Sequence, residues 1–160
     1  IQKEGYQAAY VIKGNQTIKE YGGGACQLST TMFRAAIKSG LKITERFPHS
    51  YQVQYYNPQG FDATIYGPHP DLRFINDTPS NILIQTKIKG TKLFFEFYGT
   101  SDGRDVRVAD PIEYDKKPDG SLKTSFTREI YKNGELASQE TFKSNYKSPK
   151  KAPIQKNPLE

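Results

Sequence analysis

The sequence contains one cysteine, two histidines and no tryptophan among its 160 residues. A lone cysteine excludes a disulfide within the chain and a zinc site built from several thiolates. No apolar run approaches the ~18–20 residues that span a membrane. The first ten residues also lack the basic and then apolar pattern of a signal peptide. We therefore expect a soluble chain, which leaves open an export signal or an anchor outside it.

The net charge of +6 is concentrated near the end of the sequence. Residues 142–160 contain five Lys and one Glu, and three prolines follow residue 148, so we predict a basic flexible tail over residues 146–160. Nucleic-acid binding requires basic side chains clustered on a folded face with interleaved aromatics, so no nucleic-acid partner is predicted. Attraction to an anionic polymer such as a cell wall fits the same charge equally well.

A change of periodicity after residue 24 predicts one helix. Leu28, Met32 and Ala36 recur at helical spacing, and Gly40 lies where a C-terminal helix glycine is expected.

Short alternating runs predict strands on both sides of this helix. They lie at residues 6–13, 16–21, 41–47, 51–56, 61–67, 71–78, 81–90, 91–99, 121–132 and 135–146. The last two flank Asn133-Gly134, a dipeptide typical of tight hairpins. We predict an α+β fold in which the helix packs on an antiparallel sheet, with a small C-terminal β-hairpin as an appendage. The predicted division is a domain over residues 1–100 and a β-rich extension over residues 101–145, which begins with a connection at 101–120.

Cys26 follows three glycines and begins the predicted helix. A thiol at the positive end of a helix dipole has its thiolate favoured and its pKa lowered. The amides of Gly23 and Gly24 can turn towards a developing oxyanion. The common alternative is a buried, inert cysteine. Three successive glycines favour the functional interpretation, since they are entropically unfavourable unless the backbone needs unusual angles or a close approach.

His49 and Asp62 supply the other residue types of a thiol-nucleophile site, in which an imidazole holds the proton and a carboxylate orients the ring. Either residue could instead be structural, His49 as a loop cap and Asp62 in a turn. With His69 they would also allow a metal site at Cys26. No pair among them has the i, i+4 spacing of zinc enzymes, so neither a metal nor a cofactor is predicted.

Two arginines, Arg46 and Arg73, are candidates for binding a substrate carboxylate through a bidentate fork. The commoner alternative for each is a solvated ion pair.

The string GGGACQLSTTMFRAAIKSGLKITERFPHS, with YYNPQGFDATIYGPHPDLRFINDTPSNILIQTKI after it, resembles the VanW family of bacterial cell-envelope proteins over about residues 5–100. The shared features are a glycine-rich turn, Cys-Gln, a Ser-Thr-Thr helix start, a His-Ser pair and an Asp-Ala-Thr strand. The resemblance implies that Cys26 is the nucleophile and that His49 and Asp62 occupy the other polar positions. We expect His49 to be the base or imidazolium partner and Asp62 to orient it. The predicted substrate or oxyanion contacts are Gly23, Gly24, Gln27, Thr30, Arg46, Ser50 and Arg73.

Members of this family are assigned as cysteine-dependent L,D-transpeptidases that crosslink peptidoglycan. The resemblance thus implies 3-3 crosslinking through a thioester acyl-enzyme, with peptidoglycan stem peptides as the partner, on the cell-wall side of the bacterial membrane. Any membrane contact would come from an anchor outside this chain. Two alternatives remain open: a non-catalytic module that binds cell-wall peptides, and a cysteine peptidase or amidase that acts on stem peptides.

Overall fold

The computed structural model describes residues 5–13 and 16–151, and in that part of the chain one α-helix and ten strands form an α+β fold. The helix α1 spans Ala25–Lys38. The strands are β1 (Ala8–Lys13), β2 (Gln16–Tyr21), β3 (Lys42–Glu45), β4 (Arg73–Ile75), β5 (Leu83–Lys89), β6 (Lys92–Tyr98), β7 (Arg104–Val108), β8 (Ile112–Tyr114), β9 (Leu122–Lys132) and β10 (Glu135–Tyr146).

Several small antiparallel sheets take the place of the one sheet expected from the sequence. Strands β1 and β2, β3 and β4, and β5 and β6 form three separate pairs. Strand β9 is central in the fourth sheet, with β10 along one edge and β7 and β8 in succession along the other. The Asn133-Gly134 hairpin between β9 and β10 is confirmed, and both turn residues have positive φ, 53° and 82°. The turn predicted at residues 14–15 lies outside the described residues.

Helix α1 ends as its sequence predicts. Gly40 has a φ of 71°, its N–H donates to Ile37 O at 3.2 Å, and the N–H of Leu41 donates to Ala36 O at 3.1 Å. These two bonds are a Schellman motif, which satisfies the last helical carbonyls. None of the helices in the described residues is long and apolar enough to span a membrane.

One hydrophobic core joins residues from both sides of position 100. Its buried members are Phe33, Ile37, Ala63, Phe126 and Phe142. The Phe126 and Phe142 rings stack at 4.9 Å between centroids, and Phe33 meets Phe142 edge-on at 5.9 Å. The β9–β10 hairpin is therefore not the small appendage expected from the sequence, because its inner face covers the helix. The proposed boundary at residue 100 stays a prediction.

The segment YQVQYY at residues 51–56 is not the predicted strand. Its last three residues, Gln54–Tyr56, form a 3₁₀ turn. The side chain of Arg34 donates to the carbonyl of Tyr56 and, at 2.9 Å, to the carbonyl of Phe61. A helix side chain therefore satisfies backbone carbonyls that a neighbouring strand would otherwise bind. For this reason the alternating pattern of residues 51–56 does not produce a strand.

Residues 61–67 were also predicted as a strand, and among them the structure has an isolated bridge between Phe47 and Thr64. Ala63 N–H donates to the hydroxyl of Thr30 at 3.0 Å, and that hydroxyl donates to Ala63 O at 3.2 Å. The helix again takes the place of a neighbouring strand, because its side chains satisfy the backbone of this segment.

Residues 146–151 differ from the flexible tail predicted for residues 146–160. Tyr146 is fully buried, Ser148 is buried, and Pro149–Lys151 form a 3₁₀ turn. Residues 152–160 lie outside the described part. The connection predicted at 101–120 contains two strands, β7 and β8. The composition of the tail is polar, but burial at these two positions comes from contacts with distant residues that composition does not record.

The shared core makes a prediction about stability. Phe126→Ala should lower the free energy of unfolding by about 3–5 kcal/mol, because it leaves a cavity between the helix and the hairpin. Phe94→Ala, at a ring that is 43% exposed, is the matched control and should cost about 1 kcal/mol or less. Urea denaturation of both variants measures the difference. Equal losses would mean that the hairpin does not share the core.

Candidate active site

The three glycines before Cys26 have different physical roles. Gly22 and Gly24 adopt positive φ angles of 95° and 88°, which are strained for residues with a Cβ. A Cβ on Gly23 would lie 2.5 Å from the Cβ of Ala9 in β1, so no larger side chain fits there. The turn thus brings the β1–β2 pair against the start of the helix and directs the chain into α1 at Cys26.

The turn leaves part of the helix N-terminus free to bind an anion. The N–H of Ala25 donates to Gly22 O at 3.1 Å, and the N–H of Gln27 donates to Gly24 O at 3.0 Å. The N–H groups of Gly24 and Cys26 donate to no acceptor among the described residues. The first amides of a helix attract negative charge, so these two donors suit an oxyanion formed near Cys26.

The Cys26 sulfur lies against the segment that follows Asp62. Its Sγ is 3.3 Å from Thr64 Oγ1 and 3.5 Å from both the N and the O of Ile65. Sequence reasoning did not select Thr64 or Ile65 individually. The spacing of Asp62 and Thr64, two residues apart, was the available signal, since such residues share one side of an extended chain.

His49 lies between the sulfur and the carboxylate of Asp62. Its Nδ1 is 2.7 Å from Asp62 Oδ2, and its backbone N–H donates to the same oxygen at 2.7 Å. Asp62 therefore accepts the hydrogen bond from Nδ1 and leaves Nε2 as the ring nitrogen available to Cys26, and the interaction with His49 lowers the pKa of the thiol. The structure thus brings Cys26, His49 and Asp62 together, and their catalytic roles remain predictions.

The electrostatics of the three groups favour a charged site at neutral pH. Burial alone would raise the pKa of Cys26, but hydrogen bonds from His49 and Thr64 and the charge of His49 lower it overall. Burial alone would lower the pKa of His49, and the hydrogen bonds and charges of Asp62 and Cys26 raise it to about 9. Burial opposes ionisation of Asp62, yet His49 and Arg46 lower its pKa to about 2. These shifts favour the thiolate form of Cys26, the imidazolium form of His49 and the carboxylate form of Asp62.

Two further side chains bind the other oxygen of Asp62. Arg46 donates to Oδ1 at 3.2 Å, and the hydroxyl of Tyr146 donates to it at 2.6 Å. The Arg46 side chain is 4% exposed, and it also binds Asp62 O at 2.7 Å and Gly60 O at 2.9 Å. Arg46 is therefore a buried structural partner of Asp62, and its predicted contact with a substrate carboxylate stays a prediction.

Two adjacent tyrosines border the histidine. The Tyr56 ring lies 5.1 Å from the His49 ring and 4.6 Å from the Tyr55 ring, between centroids. Tyr56 is buried and Tyr55 is exposed, so the first supports the imidazole and the second faces solvent. The aromatic pair in YQVQYY was the signal for this wall, although its predicted strand is a turn.

Thr30 has a structural role, and its predicted substrate contact stays a prediction. Its buried hydroxyl is occupied by both backbone groups of Ala63, as described above. Gln27 is half-buried in the first turn of α1, and its backbone carbonyl accepts a hydrogen bond from the hydroxyl of Thr31 at 2.8 Å. Ser50 is exposed beside His49. The substrate roles of Gln27 and Ser50 stay predictions.

Arg73 belongs to a separate surface cluster. It pairs with Asp71 at 2.9 Å and with Glu45 at 3.3 Å, and the imidazole of His69 is 2.9 Å from Glu45. This arrangement matches the solvated ion pair weighed against a substrate role, and the substrate role of Arg73 remains a prediction. Among the residues that the structure describes, no group of three or more His, Cys, Asp or Glu side chains could hold a metal ion.

Comparisons with known proteins agree with the resemblance seen in the sequence. A family model described as VanW like protein matches residues 1–98. A stretch of 99 residues is 36% identical to the Uncharacterized protein YoaR of Bacillus subtilis (strain 168), an alignment that covers 62% of this chain and 32% of YoaR. The chain therefore spans about a third of the length of that relative. No solved structure matches.

The lowered pKa of Cys26 gives a prediction for its reactivity. The rate of alkylation by iodoacetamide should rise with pH at a midpoint below the ~8.5 of a free thiol. In His49→Ala the midpoint should move to higher pH, since the thiolate loses its hydrogen bond and its positive neighbour. His69→Ala, at the other histidine of the chain, is the control and should leave the midpoint in place. A wild-type midpoint at or above that of a free thiol would contradict the charge assignment.

The low pKa of Asp62 predicts an acid-dependent stability. A carboxyl group with a folded pKa of about 2 and an unfolded pKa of ~3.9 stabilises the fold above pH ~4 by about 2–3 kcal/mol, and this contribution is lost as pH falls towards 2. Asp62→Asn should therefore be less stable than wild type at pH 7, with the difference shrinking below pH ~4. Exposed Asp110→Asn is the control. Chemical denaturation between pH 2 and 7 measures both, and a difference independent of pH would count against the buried carboxylate.

Proposed function

The chain belongs to the VanW family, and from this premise we propose that it is a cysteine L,D-transpeptidase of the bacterial cell wall. Membership in this family suggests a cell-wall-related protein. The reaction itself is proposed from the geometry around Cys26. The observation that carries the proposal is the row of Cys26, His49 and buried Asp62 at the start of helix α1.

The charge state of the row suits a thiol nucleophile. The thiolate is the reactive form of cysteine, and the raised pKa of His49 keeps the imidazolium beside it at neutral pH. Asp62 holds Nδ1, so the ring presents Nε2 to the sulfur. A proton on Nε2 is then available to a leaving amine.

In the first step, Cys26 Sγ attacks the carbonyl carbon of the third residue of a stem peptide. The carbon–sulfur bond forms and the carbonyl oxygen takes the negative charge, which the N–H groups of Gly24 and Cys26 are free to bind. The carbon–nitrogen bond to the following D-Ala then breaks. His49 gives its Nε2 proton to the departing amine, so free D-Ala and a thioester on Cys26 result.

In the second step, the amine of a neighbouring stem peptide resolves the thioester. His49, now neutral, accepts a proton as this amine attacks the thioester carbon. The carbon–sulfur bond breaks, Cys26 returns as the thiolate, and a 3-3 crosslink joins two stem peptides. Atoms and charge balance without a cofactor. Water in place of the amine would make the same site a hydrolase, so the acceptor alone separates the two activities.

The substrate and the location follow from this reaction. Peptidoglycan stem peptides are found on the outer side of the cytoplasmic membrane, so we place the chain there, on the cell-wall side. The exposed Tyr55 lies next to the row and offers an apolar surface to a stem peptide.

The test is a reaction with purified disaccharide-tetrapeptide. Wild type should show an intact mass increased by the acyl group, and dimers joined through two third-position residues should appear among the products. Cys26→Ala should give neither. His49→Ala should lower the rate by about 10²–10⁴, the usual contribution of a positioned acid or base, whereas His69→Ala should retain activity.

Each alternative has its own result in this experiment. Tripeptide monomers and free D-Ala without dimers, in the presence of excess acceptor, would identify a hydrolase. Binding of the muropeptide with neither an adduct nor a product would identify a non-catalytic wall-binding module, and the proposed transpeptidase would then be wrong.

A further inference from the structure

The carboxylate of Asp62 is held from a strand that lies more than 80 positions away in the chain. The hydroxyl of Tyr146, at the end of β10, donates to Asp62 Oδ1 at 2.6 Å and accepts the N–H of Gly60 at 2.9 Å. Tyr146 is 0% exposed. Its phenol cannot touch a substrate, so any effect that it has on chemistry acts through Asp62.

A second link joins the same strand to the same carboxylate. Arg46, which binds Asp62 Oδ1, also donates to Ser144 Oγ at 3.0 Å and to Lys143 O at 3.3 Å. Ser144 and Tyr146 are both buried on the inner face of β10, two residues apart. The hairpin therefore reaches one oxygen of Asp62 directly and once more through Arg46.

The two oxygens of the Asp62 carboxylate have separate hydrogen-bond partners. Oδ1 binds Arg46 and Tyr146, and Oδ2 binds the backbone and the ring of His49. A carboxylate fixed at Oδ1 cannot rotate, so Oδ2 stays aligned with His49 Nδ1. The family model ends at residue 98, so neither Tyr146 nor Ser144 falls within the matched region.

We propose that Tyr146 is a positioning residue of the active site, and that the end of β10 holds Asp62 in place for catalysis. This inference rests on the proposed function, because it assigns Tyr146 to the alignment of the Cys26, His49 and Asp62 row. Loss of the hydroxyl frees one side of the Asp62 carboxylate and leaves the Gly60 N–H without its acceptor. His49 then loses its fixed orientation, and its hydrogen bond to Cys26 weakens.

The surroundings of Asp62 keep Tyr146 in the donor role. Burial, followed by the charge of Asp62, raises the pKa of Tyr146, so the phenol stays protonated. The charged or titratable groups that act on Asp62 or are acted on by it are His49, Arg46, Arg34, Tyr56 and Tyr146. Among these groups, Tyr146 is the one whose hydroxyl donates a hydrogen bond to Asp62, and this bond can be deleted without a change of net charge and without loss of the His49 bond.

The experiment compares Tyr146→Phe with Tyr131→Phe. Tyr131 is a matched control on the same hairpin, since its hydroxyl also donates to a carboxylate, Glu129 at 2.9 Å, away from the site. In Tyr146→Phe the pH midpoint of Cys26 alkylation should rise by about half a unit or more. The kcat of crosslinking should fall about tenfold or more, part of the 10²–10⁴ that acid–base catalysis supplies. KM for the muropeptide should stay the same, because Tyr146 does not touch substrate. Tyr131→Phe should match wild type in all three.

The alkylation midpoint separates this inference from the proposed reaction, because it needs no substrate. A raised midpoint in a protein that makes no crosslinks would keep Tyr146 as a positioning residue and overturn the transpeptidase assignment. A folded Tyr146→Phe with the wild-type midpoint and kcat would overturn the inference, whatever its melting temperature. If Tyr146→Phe does not fold, Ser144→Ala decides by the same midpoint: a rise supports the role of β10 and no change rejects it.

Discussion

The burial of one carboxylate is the constraint on which the site depends. Asp62 is 2% exposed and would be strongly unfavourable there as an unpaired charge. Four donors surround it: two from His49, one from Arg46 and one from Tyr146. All three of these residues are distant from Asp62 in the sequence. The requirement to satisfy this charge therefore fixes the loop of His49, the end of β3 and the end of β10 relative to one another.

A second constraint acts at the sulfur. The glycine turn allows the β1–β2 pair to approach the start of α1 so closely that a Cβ at position 23 would overlap Ala9. Two side chains of the helix, Arg34 and Thr30, hydrogen-bond to backbone carbonyls within residues 56–63. Because the same helix carries Cys26, these bonds also hold Thr64 and Ile65 against Sγ.

Features that depend only on residues adjacent in the sequence could be predicted from it. Gly40 and Asn133-Gly134 were recognisable because a positive φ is a local demand that few residues meet. The helix that carries Cys26 was recognisable by the spacing of its apolar residues. The strands predicted around Tyr56 and Asp62 were wrong because side chains of helix α1 hydrogen-bond to the backbone of these segments. An alternating pattern of six residues does not show which distant residues bind its backbone.

The candidate site divides in the same way. Cys26, His49 and Asp62 have side chains whose chemistry distinguishes them, so they could be selected before the fold was known. The contact between Arg46 and Asp62 could not be predicted from the residue type, since a guanidinium suits a substrate carboxylate and a buried aspartate equally well. Tyr146 was assigned to a flexible tail, because its role exists only once β10 has brought it to Asp62.

The hydrophobic core and the carboxylate cluster both cross the point at which the family match ends. A recognisable sequence unit and a physical unit are thus different objects in this protein. The first 98 residues contain the nucleophile, while the rings that cover its helix and the phenol that secures its aspartate come later in the chain. A chimera that carried residues 1–98 alone would separate the charged site from the residues that bury it, so both segments must be transferred together.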